Sequence, residues 1–259
     1  MSKIYITASW KMNLSVEESL SYAKKLVEYG KKHLQGQENI EVFICPDFLT
    51  LYPISNILKN TGFKIGAQDC FWEDKGSYTG EISPLHLKQM GCDYVFVGHL
   101  ERMTLLKEDP DMVNKKIKAC LRNDLIPVLF VVEMDKHDNE HGAHQAIRKK
   151  LFEYIEGLDK EDVIKIIIVY EPAWAVGKMQ AAPVEYTYRM LRYLRKSLDE
   201  EFGRGMGDRQ LFMYGGGVSL ETAREVMQLD NINGIGMGTA SLNYDFFTGA
   251  IEAAKQVAK

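Results

Sequence analysis

The amino-acid sequence predicts an α/β protein, a single closed (β/α)8 barrel domain that spans residues 1–259. Short β-rich runs alternate with helical patterns about eight times, and several runs are almost continuously apolar, as expected for parallel strands covered on both faces. No linker, repeat or low-complexity stretch divides the chain. Eight β/α units in about 250 residues fit such a barrel, and a doubly wound open sheet is the alternative architecture.

The strand predictions rest on short runs rich in β-branched and aromatic residues. The predicted strands are residues 4–7, 42–45, 64–67, 94–97, 128–132, 166–170, 211–214 and 234–237. In a barrel of this kind the carboxyl ends of all strands meet at one face, and the chemistry lies there. Residues that follow these strands are therefore the first candidates for a functional site.

Helix signals separate the predicted strands. Ser15, with Glu18 three residues later, forms a capping-box pattern and predicts a helix that begins after Ser15. Ser83 followed by Pro84 predicts the start of another helix, which Gly91 ends.

The composition excludes several functional classes. A net charge of −4, with 46% hydrophobic and 26% charged residues, offers no basic surface for nucleic acid. Cys45, Cys70, Cys92 and Cys120 are scattered, which is typical of reduced thiols and not of a disulfide framework. We recognise no signal peptide and no apolar run of membrane-spanning length, so we expect a cytoplasmic protein.

A carboxylate stands at the end of a predicted buried strand. The apolar run of residues 166–170 stops at Glu171, Pro172 follows, and a loop of small residues leads into a helical pattern. A buried strand end is a poor place for an unpaired carboxylate. Glu171 is therefore either salt-bridged for structure or held ready to move a proton, and residues 172–182 are predicted to close over it as a lid.

Two other strand ends carry partners for this carboxylate. Lys11 follows the first strand in Ser9-Trp-Lys-Met-Asn, and His99 follows the fourth in Gly98-His-Leu-Glu-Arg. A base, a cation and an imidazole at three strand ends of one barrel face form an acid/base constellation.

Glycines cluster after the last two predicted strands, as Gly215-Gly-Gly and as Gly236-Met-Gly-Thr. Backbone N–H groups in glycine-rich turns cradle a dianion, and phosphate sites in these barrels are frequently formed by the loops after strands seven and eight. The pattern predicts a phosphate site, with plain tight turns as the alternative.

A histidine-rich stretch after the fifth predicted strand has the spacing of an inverted zinc-protease motif. It contains His137, Glu140 and His141, with His144 three residues further on. Gly142 interrupts the stretch, and no third ligand is evident. We interpret it as a solvated loop and expect no metal site.

Together these segments resemble the triosephosphate isomerase family along the whole chain. The motifs that carry the resemblance are Trp10-Lys-Met-Asn, Gly66-Ala-Gln, Thr79-Gly-Glu-Ile-Ser, Gly98-His-x-Glu-Arg, Tyr170-Glu-Pro-x-Trp-Ala-x-Gly, Tyr214-Gly-Gly and Ala240-Ser-Leu. The resemblance implies an aldose–ketose isomerase that interconverts dihydroxyacetone phosphate and D-glyceraldehyde 3-phosphate through an enediol. Such an enzyme serves glycolysis and gluconeogenesis and needs no metal or organic cofactor.

By position, the resemblance also implies a role for each candidate residue. Glu171 resembles the base, His99 the neutral imidazole that polarises the carbonyl, and Lys11 the cation that stabilises the enediolate. Triosephosphate isomerase is itself the standard example of a glutamate base beside a neutral histidine, so these roles come with the resemblance. Ser9 and Glu101 are expected to support them. The expected phosphate-binding N–H groups are those of Gly177, Gly217, Gly238 and Thr239.

The loop after the third strand, residues 71–80, carries Trp72 and Tyr78. In the family this loop inserts into a second subunit, and the residue at Thr79 reaches the neighbour's site. Two aromatic side chains on such a loop fit a buried interface, so we expect a homodimer.

Several residues depart from the family pattern. Ser9 stands where the family usually has Asn, Leu100 where it has Ser, Phe130 where it has Cys, and Val132 where it has Gly. The predicted lid tip reads Gly177-Lys-Met-Gln-Ala-Ala in place of Gly-Thr-Gly-Lys-Thr-Ala.

These departures keep two alternatives open. The Ser-Trp-Lys motif resembles relatives that isomerise a four-carbon ketose phosphate such as L-erythrulose 1-phosphate. The alternative from another class is a non-catalytic phosphosugar-binding barrel.

Overall fold

The computed structural model describes residues 3–136, 139–175 and 182–258. Within these ranges, eight parallel strands close into a barrel in chain order, so the first strand pairs with both the second and the eighth. The strands are β1 (Ile4–Ser9), β2 (Ile40–Cys45), β3 (Phe63–Ala67), β4 (Tyr94–Val97), β5 (Ile126–Glu133), β6 (Ile167–Pro172), β7 (Leu211–Tyr214) and β8 (Gly234–Met237). The predicted (β/α)8 barrel is confirmed.

Helices surround the barrel and connect its strands. They are α1 (Val16–His33), α2 (Phe48–Ile57), α3 (Pro84–Gln89), α4 (Leu100–Leu105), α5 (Pro110–Arg122), α6 (Glu140–Tyr154), α7 (Lys160–Val163), α8 (Val184–Phe202), α9 (Met206–Arg209), α10 (Leu220–Met227) and α11 (Tyr244–Val257). Short 3-10 helices occupy Ala173–Ala175 and Thr239–Leu242. None of the helices in the described ranges combines the length and the apolar character that crossing a membrane requires.

The predicted helix caps form as expected. Ser15 Oγ accepts from the Glu18 backbone N–H at 3.2 Å, while Glu18 Oε2 accepts from the Ser15 N–H at 2.8 Å. Ser83 Oγ accepts from the His86 N–H at 3.3 Å. Gly91, at φ 86°, follows α3 in the left-handed region that ends helices.

Three strands extend further at their carboxyl ends than predicted, and these extensions matter for the site. β1 continues to Ser9, β5 spans Ile126–Glu133, and β6 continues to Pro172. Glu171 pairs with Val132 in the ladder between β5 and β6. The base candidate is therefore held by strand hydrogen bonds and does not begin a loop.

The apolar core has two parts. Inside the barrel lie the side chains of Phe43, Cys45, Tyr94, Phe96, Val128, Phe130, Val132, Ile167, Val169 and Met213. A larger layer packs between the barrel and the helices. Because strand side chains alternate in direction, every second residue of β5 faces the barrel interior, beneath the carboxyl ends of the strands.

The interpretation of the histidine-rich stretch as a loop is wrong from residue 140 onward. Asn139 Oδ1 accepts from the Gly142 N–H at 2.8 Å and caps α6, so His141 and His144 are helical. The His144 ring stacks on Tyr193, with centroids 4.1 Å apart. His137 lies outside the described residues, and the described part of the chain contains no cluster suited to a metal ion.

Candidate active site

A cavity of about 490 Å³ opens where the strands end. Of the predicted site residues, those that line it are Ser9, Lys11, His99, Glu171, Gly217, Gly238 and Thr239. Glu101 lies beside the cavity in contact with two of them. Gly177 lies outside the described residues. The fold therefore brings together residues that are far apart in sequence.

Lys11 is held in an unusual backbone conformation directly after β1. Its φ is 51°, in the left-handed region that costs a residue with a Cβ on the order of 1–3 kcal/mol. Gln68 Nε2 donates to the Lys11 carbonyl at 3.0 Å and helps to hold this turn. Lys11 Nζ pairs with Glu101 Oε1, so the ammonium is placed at the edge of the cavity.

His99 enters the cavity from the N-cap of α4. Its backbone is extended there, and its carbonyl accepts the first helical hydrogen bonds from Arg102 and Met103. On one ring edge, Nδ1 contacts Glu101 Oε2. A carboxylate in that position favours a proton on Nδ1 and leaves Nε2 as the ring nitrogen available to a ligand.

Glu101 contacts both the His99 imidazole and the Lys11 ammonium. Burial alone would raise the pKa of its carboxyl group, but the hydrogen bonds and charges of His99 and Lys11 outweigh burial and lower the pKa to about 2. Glu101 is therefore an anion over the whole range in which the protein is expected to work, as predicted for the partner of Lys11.

Glu171 is the most buried ionisable group in contact with the cavity. The residue is 2% exposed, and burial raises its pKa although the charges of His99 and Lys11 act in the opposite direction. The nearby backbone of Leu100 also acts to lower this pKa, but less than burial raises it. Its Oε2 has no hydrogen-bond partner within the described part of the chain. No salt bridge fixes Glu171 among these residues, which favours the second of the two predicted roles.

The glycine turns after β7 and β8 form the opposite wall. Gly217, Gly238 and Thr239 all line the cavity. A Cβ added to Gly238 would lie 3.8 Å from Lys11 Nζ, so the ammonium and this backbone share one region. A Cβ on Gly216 would lie 2.0 Å from Tyr214 Oη, so glycine is required there. The arrangement suits a dianion held by backbone amides and one cation.

The described ends of the predicted lid are anchored to the barrel. The Trp174 ring packs edge-on against Tyr186 with centroids 5.7 Å apart, and the Ala182 N–H donates to Tyr214 Oη at 3.0 Å. Tyr186 also donates to the buried carboxylate of Glu133 at 2.6 Å. Residues 176–181 lie outside the described part of the chain.

The loop of residues 71–80 packs on itself and on α5. The ring of Phe71 lies 4.0 Å from Trp72 and 4.7 Å from Tyr78, centroid to centroid. Arg122 pairs with Asp74 at 2.9 Å. Thr79 is exposed and does not line the cavity of its own chain, so the structure leaves its predicted contact with a neighbour untested.

One feature of the site is sharper than the sequence predicted, and another was missed by sequence reasoning. Phe130 is expected from the sequence to add apolar bulk behind the histidine, and its ring lies directly against the His99 imidazole, with centroids 4.5 Å apart. A second feature is a buried cluster of four charges behind α4, formed by Asp69, Arg102, Glu108 and Lys116. Only the alternation of β5 residues could have placed Phe130 inside the barrel, and no pattern in the sequence links the four charges.

The comparison with known families agrees with this geometry. The sequence profile of the triosephosphate isomerase family matches residues 4–254. The chain belongs to the triosephosphate isomerase family. A protein named triosephosphate isomerase from Dictyoglomus thermophilum is 38% identical over 98% of this chain and 100% of its own length. A relative of the same name from Dehalococcoides mccartyi is 38% identical over 95% of this chain and 94% of its own length. Another, from Aquifex aeolicus, is 36% identical over 93% of this chain and 96% of its own length.

Membership of the triosephosphate isomerase family confirms the predicted family and the predicted class of enzyme, an isomerase. The positions that depart from the family pattern are concentrated near His99. Ser9 and Phe130 line the cavity, and Val132 lies inside the barrel opposite Glu171 in the ladder. The departures therefore alter the surroundings of the three candidate catalytic side chains and leave those side chains in place.

Proposed function

We propose that this member of the family interconverts dihydroxyacetone phosphate and D-glyceraldehyde 3-phosphate. The observation that carries the proposal is the environment of Glu171. A buried carboxylate, one oxygen of which has no hydrogen-bond partner among the described residues, faces a cavity that it shares with an imidazole, an ammonium and two glycine turns. A base that lies near both a polarising group and an anion-binding site is suited to proton transfer next to the carbonyl of a phosphorylated sugar.

In the proposed reaction, Glu171 removes a proton from C1 of dihydroxyacetone phosphate. The electron pair moves to the carbonyl oxygen on C2, and an enediolate forms. The C1 hydroxyl proton passes to the C2 oxygen by way of His99 Nε2, the carboxylic acid of Glu171 returns its proton to C2, and the C1 oxygen becomes the aldehyde of the product. Burial raises the pKa of Glu171, which makes its carboxylate a stronger base than an exposed glutamate.

His99 and Lys11 stabilise the negative charge that develops on the substrate oxygens. Preorganised donors of this kind are typically worth about 10²–10³ in turnover. A neutral imidazole donates from Nε2 only when the proton has left Nδ1. Because Glu101 contacts Nδ1, the proposed mechanism requires Glu101 to keep its bond to Lys11 and release Nδ1 when substrate binds.

The phosphate group is proposed to bind at the backbone N–H groups of Gly217, Gly238 and Thr239, with Gly177 contributing from the lid. Residues 172–182 are proposed to close over the substrate, to exclude water and to hold the enediolate phosphate in the plane that disfavours loss of phosphate. The contacts of Trp174 with Tyr186 and of Ala182 with Tyr214 support hinges at both ends of this segment.

A four-carbon ketose phosphate is the second candidate substrate. It is supported by Ser9, whose side chain is shorter than the usual Asn and lines the cavity. Phe130 argues against it, because its ring occupies space beside His99. A non-catalytic phosphosugar-binding barrel is the weakest candidate, since binding alone does not require a buried base with a free oxygen.

The proposal also includes a cytoplasmic homodimer, formed through residues 71–80, with Thr79 reaching the partner's site. Exposed apolar side chains just after the neighbouring strands β1 and β2 support a partner, because Met12 is 94% exposed and Leu49 is 82% exposed. Large apolar side chains with this exposure are typical of interaction surfaces when they cluster. A role in glycolysis and gluconeogenesis follows from the proposed reaction.

A coupled isomerase assay tests the function. Dihydroxyacetone phosphate, D-glyceraldehyde 3-phosphate and L-erythrulose 1-phosphate are compared side by side, with Glu171→Gln as the matched control of nearly equal shape. We expect the triose substrates to be turned over with the higher kcat/KM and the control to be nearly inactive. Preference for the tetrulose would overturn the substrate, and no isomerisation by the wild type would overturn the reaction.

A further inference from the structure

Phe130 occupies a distinctive place in the candidate site. Its side chain faces the barrel interior from β5, lines the cavity and is 4% exposed. Its ring centroid lies 4.5 Å from that of His99, and the two planes are tilted by 52°. The phenyl ring therefore packs directly against the imidazole at van der Waals distance.

An aromatic column holds Phe130 in place from below. Phe96 packs edge-on against it with centroids 5.0 Å apart and planes at 82°. Phe96 in turn packs against Phe43 at 6.4 Å, and Phe43 stacks on Tyr94 at 4.1 Å. All of these rings belong to the same buried cluster inside the barrel. Offset and edge-to-face aromatic pairs stabilise a cluster beyond the burial of its apolar surface, so the column resists displacement of Phe130.

His99 has little other support. It caps a helix of six residues, Leu100–Leu105, none of which is buried. The one polar contact of its side chain in the described residues is with Glu101, on the Nδ1 edge of the ring. The side chain of Glu101 is 42% exposed and also contacts Lys11. Because the proposed mechanism releases the Nδ1 contact, the packing of Phe130 against the ring is what then limits rotation of the imidazole about its bond to Cβ.

The geometry points to Phe130 as a positioning residue that sets the plane of the His99 imidazole. This inference rests on the proposed function and assigns Phe130 a part in it. Glu101 fixes the Nδ1 edge, Phe130 packs against the ring, and Nε2 is then directed into the cavity. When Glu101 releases Nδ1, the phenyl ring keeps the imidazole aligned with the substrate carbonyl. Phe130 itself exchanges no proton with the substrate.

The first test is steady-state kinetics of Phe130→Leu, which keeps apolar bulk and removes the flat ring. We expect kcat to fall roughly tenfold or more, because small misplacements of a catalytic group can cost about 10²-fold. The KM and the inhibition constant of inorganic phosphate should stay within about twofold, since the glycine turns are unchanged. Phe212→Leu is the matched control, because Phe212 is equally buried but belongs to the outer layer between barrel and helices.

A double-mutant cycle tests whether Phe130 acts through His99. We expect Phe130→Leu to change kcat by less than about twofold in a His99→Asn background, because an aligned imidazole no longer exists there. If Phe130→Leu lowered kcat by the same factor in the wild-type and His99→Asn backgrounds, the proposal would be overturned. A normal kcat in Phe130→Leu with His99 intact would overturn it as well.

Nuclear magnetic resonance gives a readout that does not depend on activity. The carbon-bound ring protons of His99 should show a ring-current shift from Phe130 that is lost in Phe130→Leu and kept in Phe212→Leu. Where Phe130→Leu does not fold, Phe130→Met provides the same loss of ring with a more adaptable side chain. An unchanged His99 spectrum in the folded variant would refute the packing. An inactive wild type with the predicted shift would instead refute the proposed function, so the two failures are distinguishable.

Discussion

The backbone of Leu100 lies close enough to the buried carboxylate of Glu171 to act against the rise in pKa that burial causes there. Leu100 follows His99 directly and precedes Glu101, whose carboxylate contacts Lys11. The first turn of α4 therefore lies beside the base candidate, carries the imidazole and contacts the ammonium through Glu101. A shift of this turn would move all of these groups relative to one another, which makes α4 the common support of the site.

Glu171 is expected to be indispensable for turnover. Glu171→Asp retracts the carboxylate by about one methylene, and a misplacement of about 1 Å can lower a rate by about 10²-fold. Glu171→Gln removes the base entirely and should lower kcat further. Binding of inorganic phosphate, measured by titration calorimetry, should survive both changes. Near-normal turnover in either variant would contradict the proposed mechanism.

Glu171 is also expected to make activity and stability depend on pH. Because burial raises its pKa above the ordinary value of 4.5, kcat/KM should fall on the acid side at a higher pH than an exposed glutamate would give.

The folded state prefers the neutral form of Glu171, so the contribution of Glu171 to stability is present below the ordinary pKa and lost as the pH rises through the folded-state pKa. Glu171→Gln should therefore raise Tm at pH 8, by roughly 2–4 °C for each kcal/mol. The gain should disappear at acid pH, and a gain that is the same at every pH would count against a buried ionised carboxylate.

Lys11→Met should lower kcat by about 10²–10³, because the developing enediolate loses one preorganised charge. It should also raise KM, because the ammonium lies next to the backbone of Gly238 in the proposed phosphate site. Steady-state kinetics check both changes, and Lys25→Met, at an exposed position of α1, is the control. An effect on KM alone would restrict Lys11 to phosphate binding.

Gly238→Ala should weaken phosphate binding without unfolding the protein. An added Cβ would lie 3.6 Å from Lys11 Cε, an ordinary contact distance, but it would narrow the cradle. We expect higher values of KM for substrate and of the inhibition constant for inorganic phosphate, by roughly tenfold, the equivalent of about 1.4 kcal/mol. Gly142→Ala, in α6 and outside the cavity lining, is the control. Unchanged phosphate inhibition would place the anion elsewhere.

Tyr78→Asp should dissociate the proposed homodimer. The side chain is exposed in the isolated chain and belongs to the loop expected to enter the partner, where a carboxylate would be costly to bury. Analytical ultracentrifugation should show a monomer with severely reduced activity, because Thr79 no longer reaches the partner's site. Leu220→Asp is the control, because Leu220 is an exposed apolar side chain outside this loop. A wild type that sediments as a fully active monomer would remove the dimer from the proposal.

Much of the fold could be read from local patterns. The capping box at Ser15 and the Pro84 start of α3 depend on residues within one helical turn, and both are observed. The start of α6 at Glu140 was missed because its first turn is polar, and polarity alone does not distinguish a loop from a solvated helix. One side chain, Asn139, decides the matter by capping the helix. The ends of β1, β5 and β6 were underestimated because the pairing partners of a strand lie elsewhere in the chain.

The sequence by itself determined the number and order of the strands, the family and the identity of the candidate residues Lys11, His99 and Glu171. Each of these follows from short motifs or from a period of two or 3.6 residues. Only the tertiary structure decided that Glu101 contacts His99 as well as Lys11, and that the Phe130 ring packs directly on the His99 imidazole. It also decided that Glu171 lies buried with an oxygen that has no hydrogen-bond partner among the described residues. These are relations between distant segments, and they depend on closure of the barrel, which no local pattern encodes.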